Sequence, residues 1–322
     1  MLKYNQHNFT DWGVCMKDFS KNEWGLVLAG GGGKGAYQIG VFRALREHGI
    51  DNYITAVSGV SVGALNLILF AYNDQKMAED VWKSISPRQF LEVDPELIDF
   101  KEGLMSRDGL SEILDNYIDM EIIRKNERTL YVALTEVDAD GKAQNNLARY
   151  FSLNYQGDGR IRKLLLASSA LPIIYEPVEI DGKRYKDGGL KDNLPIAPLY
   201  AEGMRHFIVV GLSPDTKIDY ERFPDAEFVF IKPGEKIGGF WDGTLDFTSG
   251  GARVRMETGY LDAMRELEFS DKDMNDGNNR IMYEASAVND YNKIVFDFRK
   301  GRLENEVGAE MDKINNLINK YT

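Results

Sequence analysis

Gly59-Val60-Ser61-Val62-Gly63 follows the short apolar run Ile54-Thr55-Ala56-Val57 and leads into Ala64-Leu65-Asn66-Leu67-Ile68-Leu69-Phe70-Ala71. The serine therefore stands where a strand turns into a helix. On so sharp a turn it takes strained backbone angles, and side chains two residues away on either side would collide, so Gly59 and Gly63 are needed there. This is the sequence form of a nucleophile elbow and points to a serine hydrolase. Ser58 lacks the flanking glycines and reads as an ordinary turn or capping hydroxyl.

Upstream, Leu26 to Ala29 reads as a buried strand that the glycine run from Gly30 breaks, and Gly35 to His48 carries helical periodicity through Ile39, Phe42 and Leu45. With Ile54 to Val57 as the next strand and Val62 to Tyr72 as a helix apolar nearly all round, the order is strand, helix, strand, helix. That alternation predicts an α/β fold with a mostly parallel central sheet flanked by helices. Its ligand site falls at the carboxyl ends of the strands, where both glycine motifs lie.

Residues 74–125 form an insertion near that edge, punctuated by Asp94-Pro95, Gly103 and Gly109. Further strands are expected over Leu130 to Val137 and Ala148 to Leu153, joined through Asp140-Gly141, and over Pro177 to Ile180 and Arg184 to Lys186, joined through Asp181-Gly182. Phe207 to Leu212 and Glu227 to Ile231 read as strands, and Ile161 to Ala170 and Thr248 to Glu268 as helices. A polar loop (Asp271 to Arg280), a strand (Lys293 to Phe298) and an amphipathic helix from Leu303 follow. With no linker rich in Pro, Gly or Ser, residues 1–322 are expected to form a single elaborated domain, with a core over about 24–267 and an extension over 268–322.

A chain of 322 residues with 43% hydrophobic and 28% charged residues can bury a substantial core. Its net charge of −12 argues against nucleic-acid binding through phosphate contacts and against simple electrostatic docking on anionic lipid. The single cysteine, Cys15, excludes an internal disulfide framework and fits a reducing compartment. The N-terminus lacks the apolar core of a signal peptide and no run approaches a membrane span, so a cytoplasmic protein is expected, touching membranes only from outside and reversibly.

Gly30-Gly31-Gly32-Gly33-Lys34-Gly35 follows a strand and opens a helix, where backbone N–H groups and the helix dipole favour a phosphate or an oxyanion. A phosphate-binding Walker loop requires Gly and Ser or Thr where Leu28 and Gly35 stand. Gly30, Gly32 and Gly35 satisfy the dinucleotide fingerprint, but the second strand ends in Val57-Ser58-Gly59 rather than in an acid. An oxyanion hole would lie beside a nucleophile on the adjacent strand, where the elbow places Ser61.

A serine needs a base. Asp187-Gly188-Gly189, ahead of Asn193-Leu194-Pro195, supplies a carboxylate on a glycine loop. Of the three histidines, His206 completes the chain order of α/β-hydrolase triads, but it precedes the strand Phe207 to Leu212 and so falls at the wrong sheet edge. His48 ends the first helix at that same edge, and His7 belongs to the polar N-terminal segment. Asp138, Asp140 and Asp271 do not match an EF-hand spacing, and neither a metal nor a cofactor is expected.

Together GGGGKG, GVSVG and DGG followed by N-x-P resemble the patatin-like phospholipase family, as do Ala167-Ser168-Ser169-Ala170-Leu171-Pro172 and Gly259-Tyr260-Leu261-Asp262-Ala263. The resemblance covers roughly Trp24 to Leu267. It implies a three-layer α/β/α architecture and lipid acyl hydrolysis of phospholipase A or lysophospholipase type by a Ser-Asp dyad. Ser61 would attack the ester carbonyl and Asp187 would take its proton, directly or through water. By the same match the oxyanion hole is Gly30 to Gly33, with Gly31 and Gly32 as donors and Gly30 and Gly33 shaping the loop. Lys34 is an anchor or a solvated cation, and Gly35, Gly188 and Gly189 support the loops. The substrate is a lipid ester, met at a transient membrane or micelle interface; the alternative is a silent lipid-binding or regulatory module of the same fold. A flap or interfacial contact is expected at Ile237-Gly238-Gly239-Phe240-Trp241, and acyl-chain lining from Leu65 to Phe70, Leu104-Met105 and Leu110.

Overall fold

Near-continuous apolar runs such as Trp24–Leu28 and Phe207 to Val210 give the central strands two apolar faces, and the fold covers both. The computed structural model describes residues 19–84, 117–138, 140–143, 148–169 and 176–268. Among them run eight strands: β1 (Trp24–Leu28), β2 (Ile54–Gly59), β3 (Thr129–Val137), β4 (Arg149–Ser152), β5 (Val178–Ile180), β6 (Lys183–Asp187), β7 (His206–Val210) and β8 (Glu227–Ile231). They form one sheet in the order β5-β6-β3-β2-β1-β7-β8, with β4 paired to β3 off this path. β3, β2, β1, β7 and β8 are parallel, while β4 and β6 meet β3 antiparallel and β5 meets β6 antiparallel.

The helices are α1 (Ala36–Glu47), α2 (Val62–Ala71), α3 (Gln75–Ser84), α4 (Met120–Arg124), α5 (Asp158–Ser168), α6 (Ala197–Ala201) and α7 (Ser249–Glu268). On one face Leu26, Leu28 and Val57 pack with Ile39, Phe42, Leu67 and Leu164. On the other, Val27, Ala56, Phe207 and Val209 pack with Ile196 and Leu199 of the α6 region. That division follows the strand period of two. The α2 run is buried almost throughout, as its unbroken apolar sequence requires.

The expected Asp181-Gly182 turn has both residues at positive φ, the two-residue geometry that joins β5 to β6. Strand ends shift by a few residues; the consequential shift is at β2, which continues through Ser58 and Gly59. Ser58 is therefore neither a turn nor a cap residue. It is fully buried in the strand and donates its hydroxyl to Pro195 O at 2.6 Å. Leu104, Met105, Leu110 and the expected elements after Glu268 lie outside the described residues. Among the described residues no helix is long and apolar enough to cross a membrane.

Candidate active site

Strand β3 acts as the ruler that brings the two candidate loops together. Val132 lies opposite Gly59, the last residue of β2, and Leu134 opposite Asp187, the last residue of β6. Ser61, two residues past Gly59, and Asp187 thus converge beside one short stretch of β3. Glycine is required where the elbow doubles back: a Cβ on Gly59 would strike Gly63 O, and a Cβ on Gly63 would strike Leu28 O. Ser61 itself has φ 55° and ψ −126°, a conformation that L-residues adopt only at a cost and that persists when the surroundings impose it.

Those surroundings are specific. Val60 N donates to Leu28 O, and Ser61 N donates to Ser168 Oγ at 3.1 Å, while that hydroxyl donates to Ala133 O at 2.9 Å. Ser168 from α5 therefore links the Ser61 backbone to β3. The Ser61 side chain is nearly buried and sits at the N-terminus of α2, where the helix dipole favours developing negative charge.

Asp187 is 3% exposed. Its Oδ1 accepts from Gly189 N at 2.8 Å, whereas its Oδ2 is buried with no hydrogen-bond partner among the described residues. Burial pushes the carboxyl up to about 6, against the Ser61 hydroxyl and the Gly189 N–H, which both favour the charged form. The hydroxyl thus stands close enough to influence the carboxylate, yet Oδ2 has no formed hydrogen bond. Catalytic pairs in unliganded enzymes are often so arranged and tighten only around substrate.

The glycine loop passes beside them, Gly30 lying directly against Ser61 Cβ and the Asn193 amide. Gly30 N donates to Asn193 Oδ1 at 3.2 Å, and Asn193 Nδ2 donates to Gly30 O at 3.4 Å. The Gly30 N–H is thereby engaged in fastening the loop. Gly32 to Gly35 form a single 3₁₀ turn whose first amides have no partner within the turn, and Gly32 has φ +59°. Both ends of the loop are held from beneath by a buried amide network. Gln38 donates to Ala29 O at 2.8 Å, Asn66 donates to Gly35 O and to Gln38 Oε1, each at 2.8 Å, and Trp82 Nε1 donates to Asn66 Oδ1 at 2.9 Å.

Lys34 is partly buried and its stem packs on Gly243; burial first, and Arg255 second, lower its ammonium from the ordinary lysine value. The anchoring role fits this packing better than the solvated one. Gly188 approaches Ala133 O too closely for a side chain, and Gly189 faces Asp187 Oδ1 and Asn193. The Asp187 loop is tied back to the sheet by Asp192, which accepts from Tyr150 Oη at 2.6 Å and from Leu194 N at 3.1 Å. The expected flap is not free: residues 240–244 form one π-helical turn whose neighbouring carbonyls Arg255 holds, although Phe240 remains half-exposed.

Neither described histidine approaches Ser61. His206 opens β7 at the amino edge of the sheet, tilted against Trp24 with ring centroids 5.3 Å apart and facing Glu227. Trp24 lies four residues before Leu28 on β1, roughly 13 Å from the site edge at ~3.3 Å per residue. His48 caps the far end of α1, with Nδ1 2.8 Å from Ala44 O. His7 lies outside the described residues. Sequence reasoning passed over Ser168, Asn193, Gln38, Asn66, Trp82 and Arg255 as functional groups; an Asn within the apolar α2 run and the Asn of N-x-P were the available signals.

A family model described as patatin-like phospholipase matches residues 26–200, just over half of the chain. Neuropathy target esterase sws of Drosophila melanogaster is 25% identical over 250 residues, which make up 74% of this chain and 15% of that protein. Lysophospholipase NTE1 of Cryptococcus neoformans is 27% identical over 241 residues, or 70% of this chain and 13% of the relative. The chain spans half or less of the length of the curated relatives it matches. Among solved structures, human GIVD cytosolic phospholipase A2 aligns with a TM-score of 0.44 at 9% identity, covering 85% of this chain and 60% of that one.

Proposed function

Because this chain belongs to the patatin-like phospholipase family, we propose that it is a serine lipid acyl hydrolase of phospholipase A or lysophospholipase type, acting through a Ser61–Asp187 dyad. The observation that carries the reading is the pairing of a strained serine with a buried carboxylate raised to about 6, with both described histidines at the opposite sheet edge. An aspartate at its reference value of about 3.9 is a poor acceptor for a serine proton. Burial improves it, and Oδ2, with no hydrogen-bond partner among the described residues, has the capacity to accept that proton.

In the acylation step Ser61 Oγ bonds to the ester carbonyl carbon as its proton passes to Asp187, directly or through a water. The carbonyl oxygen takes up negative charge against the amides of Gly31 and Gly32, and the alcohol leaves with the proton held by Asp187. A water then attacks the acyl-serine carbonyl carbon as Asp187 takes its proton; the bond from that carbon to Ser61 Oγ breaks, Asp187 returns the proton to Oγ, and the fatty acid departs. Amides fixed before reaction contribute most where charge develops, and removing one such donor typically costs about 10²- to 10³-fold in rate.

Hydrolysis of p-nitrophenyl esters by wild type, Ser61→Ala and Asp187→Asn tests the reading, together with labelling by a fluorophosphonate probe. Both variants are expected to lose turnover, and Ser61→Ala to lose labelling. Turnover surviving in Ser61→Ala would remove the serine from the mechanism. Loss of turnover in a folded His206→Ala would replace the dyad by a triad.

A further inference from the structure

We propose that Arg255 is a positioning residue for the glycine loop: it fixes where the Gly31 and Gly32 amides stand by holding residues 237–246 against the back of that loop. The inference rests on the proposed hydrolase reading. Arg255 lies on α7, 5% exposed, and a buried guanidinium is tolerated only when its donors are satisfied. The acceptors it holds belong to one segment. Nε donates to Ile237 O at 3.2 Å, Nη1 to Asp246 O at 3.0 Å, and Nη2 to Asp242 O at 2.7 Å and to Asp246 Oδ2 at 2.8 Å.

The segment so gathered is unusual. Thr244 N donates to Gly239 O at 3.0 Å and Leu245 N to Phe240 O at 2.9 Å, the five-residue spacing of a π turn, which occurs mostly as isolated turns and often at functional sites. Its carbonyls reach the glycine loop: Thr244 O packs on Gly32, and Gly243 O and Asp246 O pack on Gly33, each so closely that a Cβ on either glycine would collide. The segment thus lies directly against the Gly32 and Gly33 backbone.

The clamp is referenced to the same frame as the loop. α7 crosses α1 at Gly40 and Gly259, where backbone meets backbone, and α1 is the helix that the glycine loop opens. Asp246 accepts at Oδ1 from Thr248 N at 2.9 Å and from Thr248 Oγ1 at 2.7 Å, while Oδ2 takes the guanidinium. Gly251 leaves room for that ion pair. Arg255 therefore sets the distance between α7 and the loop through a rigid fork that a lysine ammonium cannot reproduce.

The test measures kcat and KM for a soluble p-nitrophenyl ester in full-length wild type, Arg255→Lys and Asp246→Asn, each normalised to active sites titrated with a fluorophosphonate. Arg255→Lys is expected to lower kcat per titrated site about 10²-fold, the scale on which a 1 Å misplacement acts. Its KM should stay within about threefold, because ground-state binding does not use the loop amides. Asp246→Asn keeps the Thr248 cap and the volume, supplies the same reading if Arg255→Lys fails to fold, and is expected to lose about tenfold in kcat. Variants that lose melting temperature or titratable sites while each remaining site turns over at the wild-type rate would overturn the inference and leave the hydrolase reading intact. A wild-type chain that neither hydrolyses esters nor takes the probe would overturn the hydrolase reading, and this one with it.

Discussion

Replacing Asp187 by Asn keeps the side chain's shape and its Gly189 contact and removes a buried charge whose Oδ2 has no hydrogen-bond partner among the described residues. The carboxyl stands at about 6 in the folded chain against an ordinary value of 3.8, so the folded state disfavours its ionisation. Two pKa units correspond to about 3 kcal/mol. Between the two values the folded state holds more protons than the unfolded state, so this group's contribution to wild-type stability is fully present below about pH 4 and is lost as pH rises to about 6. The carboxamide introduced by Asp187→Asn does not titrate. The variant should therefore gain on wild type as pH rises, by about 2 kcal/mol in unfolding free energy between pH 4 and pH 7, while its turnover collapses.

Urea unfolding of both proteins at pH 4, 5, 6 and 7 reads this difference, with equal m-values showing that the same surface is exposed. Other acids titrate in both proteins and cancel. A difference that stays flat across this range, or one that turns against the variant as pH rises, would refute the claim that burial governs Asp187. A gain in stability matched to a loss in rate is what a strained, undersolvated site predicts.

The same pKa places the rising limb of kcat/KM near pH 6, where Asp187 ionises; a bell-shaped profile fixed by a histidine would contradict it, and a pH–rate series on a soluble ester decides. Ser168→Ala leaves Ser61 N and Ala133 O unpaired in the interior, so it should cost about 1–3 kcal/mol in urea unfolding and slow ester hydrolysis. Asn193→Ala unfastens Gly30 and should lower kcat at least about tenfold with little change in KM, measured per titrated site. His206→Ala removes a ring packed against Trp24 at the far edge and should leave kcat unchanged.

The sheet and its site edge were legible because their determinants are local. Short continuous apolar runs mark strands buried on both faces, Asp181-Gly182 fixes a two-residue turn, and Gly59 and Gly63 state a close approach that only glycine allows. The family resemblance carried the choice of Asp187 as base; the residue pattern alone supplied a carboxylate on a glycine loop and set it against three histidines. Ser58 was misread because β2 runs two residues further than its apolar stretch, into a position buried by a loop more than a hundred residues away. Ser168, Asn193 and Arg255 escaped for the same reason: each acts through a partner distant in sequence. Asn66 was visible as an amide in an otherwise apolar helix, but its meaning and that of Gln38 depend on the carbonyls of Gly35 and Ala29 that they hold at the two ends of the loop.

Magnitudes indicate how the work of such a site is divided. Raising Asp187 from 3.8 to about 6 improves it as a proton acceptor by only about 3 kcal/mol, a small part of the gap to a serine hydroxyl. One amide aimed at the developing oxyanion contributes about 2.7–4 kcal/mol, so two such amides outweigh the burial of the base. This fits the distribution of structural support: Asp187 Oδ2 has no hydrogen-bond partner among the described residues, while the glycine loop is held by Asn193 at Gly30, by Gln38 and Asn66 at its ends, and by the Arg255-bound turn at its back. A chain that dispenses with a histidine base must stabilise the alkoxide and the tetrahedral oxygen instead, and that stabilisation depends on amides that do not move. Substitutions that loosen the loop should therefore cost more rate than substitutions that shift the Asp187 pKa by a unit.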